Sequence, residues 1–167
     1  KRKSIKILNK LSKILKKITA RNDYQEIGVF NPLLYRKIIN PINKINIANS
    51  FKNSIVKKNE LSQNDFILYP LHTEPELVLS QFARPYLNQI EVIRNISHSI
   101  PSGMLLYVKE HPLMYGRRSK KYYKKLLSIP NVRLVDFILN SSEVLEYAKM
   151  VVIIRGAIGL EAVMKKI

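Results

Sequence analysis

The 167-residue chain predicts an α/β fold, a Rossmann-like parallel sheet with helices on both faces, preceded by a basic amphipathic helix. Three observations carry that prediction. From Asp65 onward, short apolar runs alternate with helical stretches of about ten residues. The apolar runs are nearly continuous rather than alternating with polar residues, as strands covered on both faces are. The order β-α-β-α-β-α-β-α closes into one sheet through right-handed crossovers.

The elements follow in chain order. Residues 4–20 read as one helix, with Leu8, Leu11, Leu15 and Ile18 along one side and Lys6, Lys10, Lys13, Lys16 and Lys17 on the other. Asn31-Pro32 and Asn40-Pro41 mark turns, with a short helix between them over 33–39. Asn and Lys dominate 43–64, which reads as linker. The chain is therefore expected to divide into a basic helix and linker over 1–63 and a compact domain over 64–167. In that domain 66–71 is the first strand. A helix over 86–99 places Leu87, Ile90, Ile93 and Ile96 on one side and stops at Pro101-Ser102-Gly103. A second strand covers 104–109, and a basic helix over 119–128 halts before Pro130. A third strand spans 132–137. Ser141 or Ser142 caps a helix over 141–148, with Glu143 in its first turn. A fourth strand over 150–155 enters a turn at Gly156 to Gly159, and a last helix begins at Leu160. That helix meets no Gly, Asn or Pro before Ile167, so the domain is expected to be truncated at its C-terminus and the chain to be part of a larger protein.

Composition narrows the chemistry. A hydrophobic content of 46% with 25% charged residues is that of a globular protein. The absence of cysteine excludes a disulfide scaffold, a thiolate metal site, an iron–sulfur cluster and a cysteine nucleophile. Three scattered histidines speak against an all-histidine metal centre, and neither a metal nor an organic cofactor is implied. The longest apolar run, 150–154, is far below the ~20 residues of a membrane span, and no signal peptide is recognisable. The net charge of +17 is uneven: residues 1–60 hold 15 basic and 3 acidic side chains, residues 61–167 hold 14 and 9. This lysine excess comes with abundant Ile and Asn, the residues an AT-rich genome overproduces. A nucleic-acid or anionic membrane surface is the alternative source of the bias.

In an open parallel sheet, ligands bind beyond the carboxyl ends of the strands. After the first strand stand His72, Glu74 and Glu76, a histidine with carboxylates suited to acid–base work. After the second come Lys109, Glu110, His111 and Pro112, then Gly116, Arg117 and Arg118. Charge at the end of a buried strand is costly unless it faces a cleft, and Arg117 and Arg118 are expected to draw in an anion; Lys120 and Lys121 could join them but read first as a solvated helix start. After the fourth, Arg155, Gly156, Gly159 and Glu161 form a strand–glycine turn–helix passage, an arrangement that suits phosphate. Arg155 would add a forked cation and Glu161 would reach a ribose or sugar hydroxyl.

These segments carry a resemblance. Tyr-Pro-Leu-His-Thr-Glu-Pro-Glu at 69–76, Gln89, Pro-Ser-Gly at 101–103, Leu-Tyr-Val-Lys-Glu-His-Pro at 106–112 with Gly116-Arg117, Pro-Asn-Val-Arg-Leu at 130–134 and Gly-Ala-Ile-Gly-Leu-Glu-Ala at 156–162 occur in that order. Together they resemble the capsule and surface polysaccharide biosynthesis family, whose members are similar to GT-B glycosyltransferases. The resemblance covers roughly 65–167 and implies the C-terminal, donor-binding half of such a fold. It implies that His111, Pro112, Gly156, Gly159 and Glu161 hold the nucleotide of an activated sugar, a CMP-sugar by analogy. The loop reading adds Lys109, Gly116, Arg117 and Arg155 to that binding set and makes His72, Glu74 and Glu76 the candidate catalytic groups, with the absent N-terminal half as the alternative source of the base. Arg155 and Ala157 stand where the family has hydroxyl side chains. The implied partners are a nucleotide-sugar donor and a glycan or lipid-linked acceptor, in the cytoplasm or peripherally on the inner membrane through the helix over 4–20, with no specific nucleic acid. The competing expectation is a non-enzymatic basic module that binds nucleic acid or an anionic membrane surface.

Overall fold

The computed structural model describes residues 39–75 and 77–167. The helix expected over 4–20, most of the one expected over 33–39, and Glu76 lie outside the described residues. The chain forms α1 (Asn40–Phe51), β1 (Ile55–Val56), a 3-10 turn (Lys58–Gln63), β2 (Phe66–Pro70), α2 (Leu77–Phe82), a second 3-10 turn (Arg84–Tyr86), α3 (Gln89–Ser99), β3 (Leu105–Lys109), α4 (Lys120–Leu127), β4 (Val132–Val135), α5 (Ser141–Leu145), β5 (Met150–Val151) and α6 (Ala157–Met164).

All five strands are parallel, in the order β1-β4-β3-β2-β5. Leu68 pairs with Tyr107 of β3 on one side and with Val151 of β5 on the other. The period of two divides each strand between the faces. Ile67, Tyr69, Leu106, Val108 and Val132 meet α3 and α4 through Ile93 and Leu126. Phe66, Leu68, Tyr107 and Val135 meet α5 and α6 through Val144, Leu145 and Ala162. Both faces are covered, which is why the strands are mostly apolar, with Lys109 at the end of β3 and exposed Arg133 in β4 the charged members. At the heart of the second layer, Phe66 and Tyr107 stack with ring centroids 4.1 Å apart.

The segment expected to be linker is part of the core. In α1, Asn43, Ile47 and Phe51 recur every fourth residue and are buried. Ile47 and Phe51 pack with Tyr123, Leu134 and Phe137, and Pro41 occupies the first turn, where its missing N–H costs nothing. Asn and Lys hid this stripe in the sequence. Tertiary packing stabilises the helix beyond what its residues supply alone. β1 then adds a fifth, edge strand: Asp136 N–H donates to Val56 O at 3.0 Å. Several expected boundaries move; the strand expected over 132–137 ends at Val135 and the helix expected over 141–148 ends at Leu145. The helix expected over 86–99 starts at Gln89, after a 3-10 turn. Asn140, not Ser141 or Ser142, caps α5, its side chain accepting from Ser142 N–H at 3.4 Å. β5 is two residues long, because beyond the Val152 N–H bond to Leu68 O at 3.0 Å the chain leaves the ladder. The last helix begins at Ala157, immediately after Gly156.

Replacing Phe66 with Ala should lower the unfolding free energy by about 3–5 kcal/mol, because a fully buried ring stacked on Tyr107 leaves a cavity that cannot collapse. Urea unfolding measures this. A loss below about 1 kcal/mol would mean that this layer is not close-packed.

Candidate functional site

The order β1-β4-β3-β2-β5 creates one reversal. From β2 the chain winds outward through β3 and β4, then returns across the sheet to place β5 on the other side of β2. Loops leaving β2 and β5 therefore diverge to opposite faces and leave a crevice at their carboxyl ends. A cavity of about 270 Å³ occupies it. Its walls are Leu71, His72 and Thr73 after β2, His111 and Pro112 after β3, Ser141 at the start of α5, and Ile153, Arg155, Gly156, Ala157 and Ile158 after β5.

Each wall is held by local chemistry. His72 is 8% exposed, and its backbone is clamped: its N–H donates to Gln89 Oε1 at 2.7 Å and its carbonyl accepts from Gln89 Nε2 at 3.3 Å. His111 Nδ1 accepts the Leu113 N–H at 3.2 Å, which puts the proton of the neutral ring on Nε2. Its backbone N–H donates to Glu110 Oε1 at 2.7 Å. Gly156 sits at φ +139°, open to glycine and strained for other residues, and turns the chain from β5 into α6. No side chain caps α6, so Gly156, Ala157 and Ile158 present its first-turn backbone at the cavity wall. Exposed Arg155 stands at the rim.

Behind the cavity lies a buried ionic network that the sequence analysis did not recognise. Arg118 is 1% exposed. Its Nη1 lies 2.8 Å from Glu74 Oε2 and its Nε 3.0 Å from Glu110 Oε2, while Nη2 donates to the His72 carbonyl. The guanidinium also lies 4.6 Å from the centre of the Tyr122 ring. Glu110, also 1% exposed, accepts from Tyr123 Oη at 2.8 Å, and Gln89 Nε2 donates to Glu74. Burial raises the pKa of Glu110, while Arg118 and the Tyr123 hydroxyl pull it back. For Arg118, burial opposes the charge, but Glu110, Tyr122 and Glu74 together outweigh it, and the net shift is upward. Arg118 is therefore a strut between the loops after β2 and β3, and not the solvent-facing anion attractor expected for it. One signal was available: Tyr122 and Tyr123 follow Arg118 at the four- and five-residue offsets of a helix start.

The candidate residues fall into three groups. His72, His111, Pro112, Arg155 and Gly156 line the cavity. Glu74, Lys109, Gly116, Gly159 and Glu161 hold elements together outside its wall. Lys109 is 1% exposed and its Nζ donates to the Phe137 carbonyl at 3.2 Å; burial lowers its pKa. Gly116, at φ +87°, lies against α1, where a Cβ would meet Asn40 Oδ1 and come 2.8 Å from Lys44 Cγ. A Cβ on Gly159 would stand 3.0 Å from Ile153 Cγ2, so its lack of a side chain lets α6 approach the end of β5. Glu161 joins α5 to α6: it accepts from Ser142 Oγ at 2.8 Å and pairs with Lys165 at 3.2 Å, and these contacts hold its carboxyl below the usual range. Arg117 is exposed and does not line the cavity.

An open parallel α/β sheet with a cavity at its strand-order reversal is the arrangement in which α/β proteins bind ligands beyond the carboxyl ends of the strands. The chain belongs to the capsule polysaccharide biosynthesis protein family, whose model matches residues 3–167. Its role is therefore in capsule synthesis, with sugar and glycan substrates in the general sense. Comparison with curated proteins and with solved structures gave no significant match. No described helix is long and apolar enough to cross a membrane.

The network yields two expectations. Arg118→Ala should cost about 3–5 kcal/mol, because it leaves the Glu110 carboxylate buried without its counter-charge. The double variant Arg118→Met/Glu110→Gln should recover much of that loss in urea unfolding; no recovery would show that Arg118 acts through packing instead. The second concerns Tyr69 and Tyr122, whose phenols are raised well above the ordinary 10.0, first by burial, with Arg118 opposing. A raised folded pKa gives stability that is complete below pH ~10 and lost as pH rises above it. In an alkaline titration the two phenolate bands should therefore appear together with unfolding. Ionisation of all nine tyrosines near pH 10, with the fold intact, would contradict this.

Proposed function

We propose that this chain is the donor-binding half of a glycosyltransferase that builds capsular polysaccharide, and that the cavity holds the phosphate and ribose of a nucleotide-activated sugar. The observation that carries this reading is the meeting of Arg155, His111 and the uncapped start of α6 around one cavity, with no carboxylate among the described residues of its wall. A helix N-terminus, a guanidinium and an imidazole N–H are all donors suited to a phosphate oxygen. The volume of about 270 Å³ lies just below the ~300–1,000 Å³ of drug-sized sites, so the sugar and base would extend beyond the mouth.

In the reaction proposed, an acceptor hydroxyl attacks the anomeric carbon and the bond from that carbon to the donor phosphate oxygen breaks. The leaving phosphate gains charge, which Arg155, His111 and the α6 backbone would stabilise in place. A base takes the hydroxyl proton. His72, an imidazole in the cavity wall not assigned to the phosphate, is the proposed base, while Glu74 is committed to Arg118 and Gln89 and would act by positioning the loop. CMP is the first nucleotide to test. On this reading the protein works in the cytoplasm, at the inner membrane where a lipid-linked or growing acceptor is presented.

The test is a thermal-shift and calorimetric panel of CMP, UDP, GDP and ADP on the wild-type chain, His111→Ala and Arg155→Ala. One nucleotide should stabilise the protein saturably at moderate salt. Each variant should weaken its binding by about 10- to 100-fold, the worth of a hydrogen bond to a charged group. Equal weak responses to all four, unchanged in both variants, would dismiss the donor site.

A further inference from the structure

Two stretches of the chain, 39–59 and 111–135, contain no acidic residue. They are far apart in sequence, and the fold lays them side by side. The ring of Phe51 on α1 meets Tyr123 of α4 edge-on at 5.8 Å. Asn43 Nδ2 donates to the Gly116 carbonyl at 3.2 Å, Tyr115 Oη to the Lys44 carbonyl at 3.1 Å, and Lys120 Nζ to Ser50 Oγ at 2.6 Å.

The joint surface is basic. Lys120, Lys121, Lys124 and Lys125 recur at helical spacing on the side of α4 opposite buried Tyr123 and Leu126, and all four are exposed. Among the described residues no carboxylate pairs with any of them. The acid nearest in sequence before α4, Glu110, is buried against Arg118 and adds nothing to the surface field. Exposed aliphatic side chains stand on α1 and on the loop before α4. Ile45 is 61% exposed and Ile42 37%, on the side of α1 away from Asn43, Ile47 and Phe51, and Leu113 of the adjoining loop is 63% exposed.

The mixture selects the partner. A nucleic-acid surface that binds single strands offers aromatic faces for stacking. Here the tyrosines turn inward: Tyr115 stacks on Phe137 at 4.3 Å, Tyr122 lies beneath Arg118, and Tyr123 is buried. Exposed lysines on α4 together with exposed aliphatics on α1 and at Leu113 instead match a bilayer surface, where amines meet anionic headgroups and aliphatics enter the interface. We propose that the α1–α4 face docks on an anionic membrane surface. The inference rests on charge and exposure alone and does not depend on the donor-site reading. It is also separate from attachment through residues 4–20. Since α4 follows the loop that carries His111, such docking would hold the cavity close to the bilayer.

The experiment uses the whole chain and two kinds of vesicle, phosphatidylcholine alone and phosphatidylcholine with a minority of phosphatidylglycerol. The protein should co-sediment only with the second. Lys121→Gln/Lys124→Gln/Lys125→Gln should retain the wild-type melting transition and lose about fivefold in partitioning per lysine, about a hundredfold together. The chain has no tryptophan, so Ile45→Trp introduces a single indole. Its emission should shift to the blue on anionic vesicles and stay unchanged on neutral ones. Three outcomes would overturn the proposal: wild-type partitioning of the triple variant, co-sedimentation with no shift of that indole, or tighter binding to a double-stranded oligonucleotide than to the vesicles at equal salt.

Discussion

A guanidinium with 1% of its surface exposed cannot remain in a protein interior without partners, and Arg118 has them on three sides. Glu110 comes from the end of β3, Glu74 and the His72 carbonyl from the loop after β2, and the Tyr122 ring from the helix that follows Arg118 itself. The loops that form two walls of the cavity therefore share one ionic knot. Gln89 completes it from α3 by bonding both the His72 backbone and the Glu74 carboxylate. Such a network is high in both gain and risk: satisfied, it fixes loop positions, and with one member removed it leaves a buried charge.

The second constraint is topological. β2 is an interior strand that pairs with both β3 and β5, and Phe66 to Tyr69 are buried on both faces. The winding direction reverses around β2, so the crevice and the chemistry gather at its carboxyl end. Lys109 shows how closely this edge is tied together. A cation kept out of water at the end of β3 is directed to the Phe137 carbonyl, which anchors the segment after β4 beside the same edge. Glu161 does comparable work on the opposite face by linking α6 to α5.

The fold also sorts the basic residues by role. Arg118 is internal, Arg155 stands at the cavity rim, and the lysines of α4 face outward next to α1. A net charge of +17 says nothing of this division, because net charge is a sum and each role depends on position.

The sequence by itself determined the parallel α/β sheet, its helices on both faces and the order of the loops at the carboxyl edge. Strand apolarity and helical period are local signals, and a parallel sheet places every strand's following loop at the same end. The family resemblance was legible for the same reason, as an ordered set of short local motifs. Only the tertiary structure decided which motif residues face the cavity. Arg117 and Arg118 are neighbours in the chain, yet one is exposed and the other buried, because the partner that accepts Arg118 at His72 lies 46 residues away. Gly116 opens space for α1 and not for a ligand, because α1, which read as linker, packs there. A side chain's destination is set by non-local packing, which composition and spacing do not encode one residue at a time.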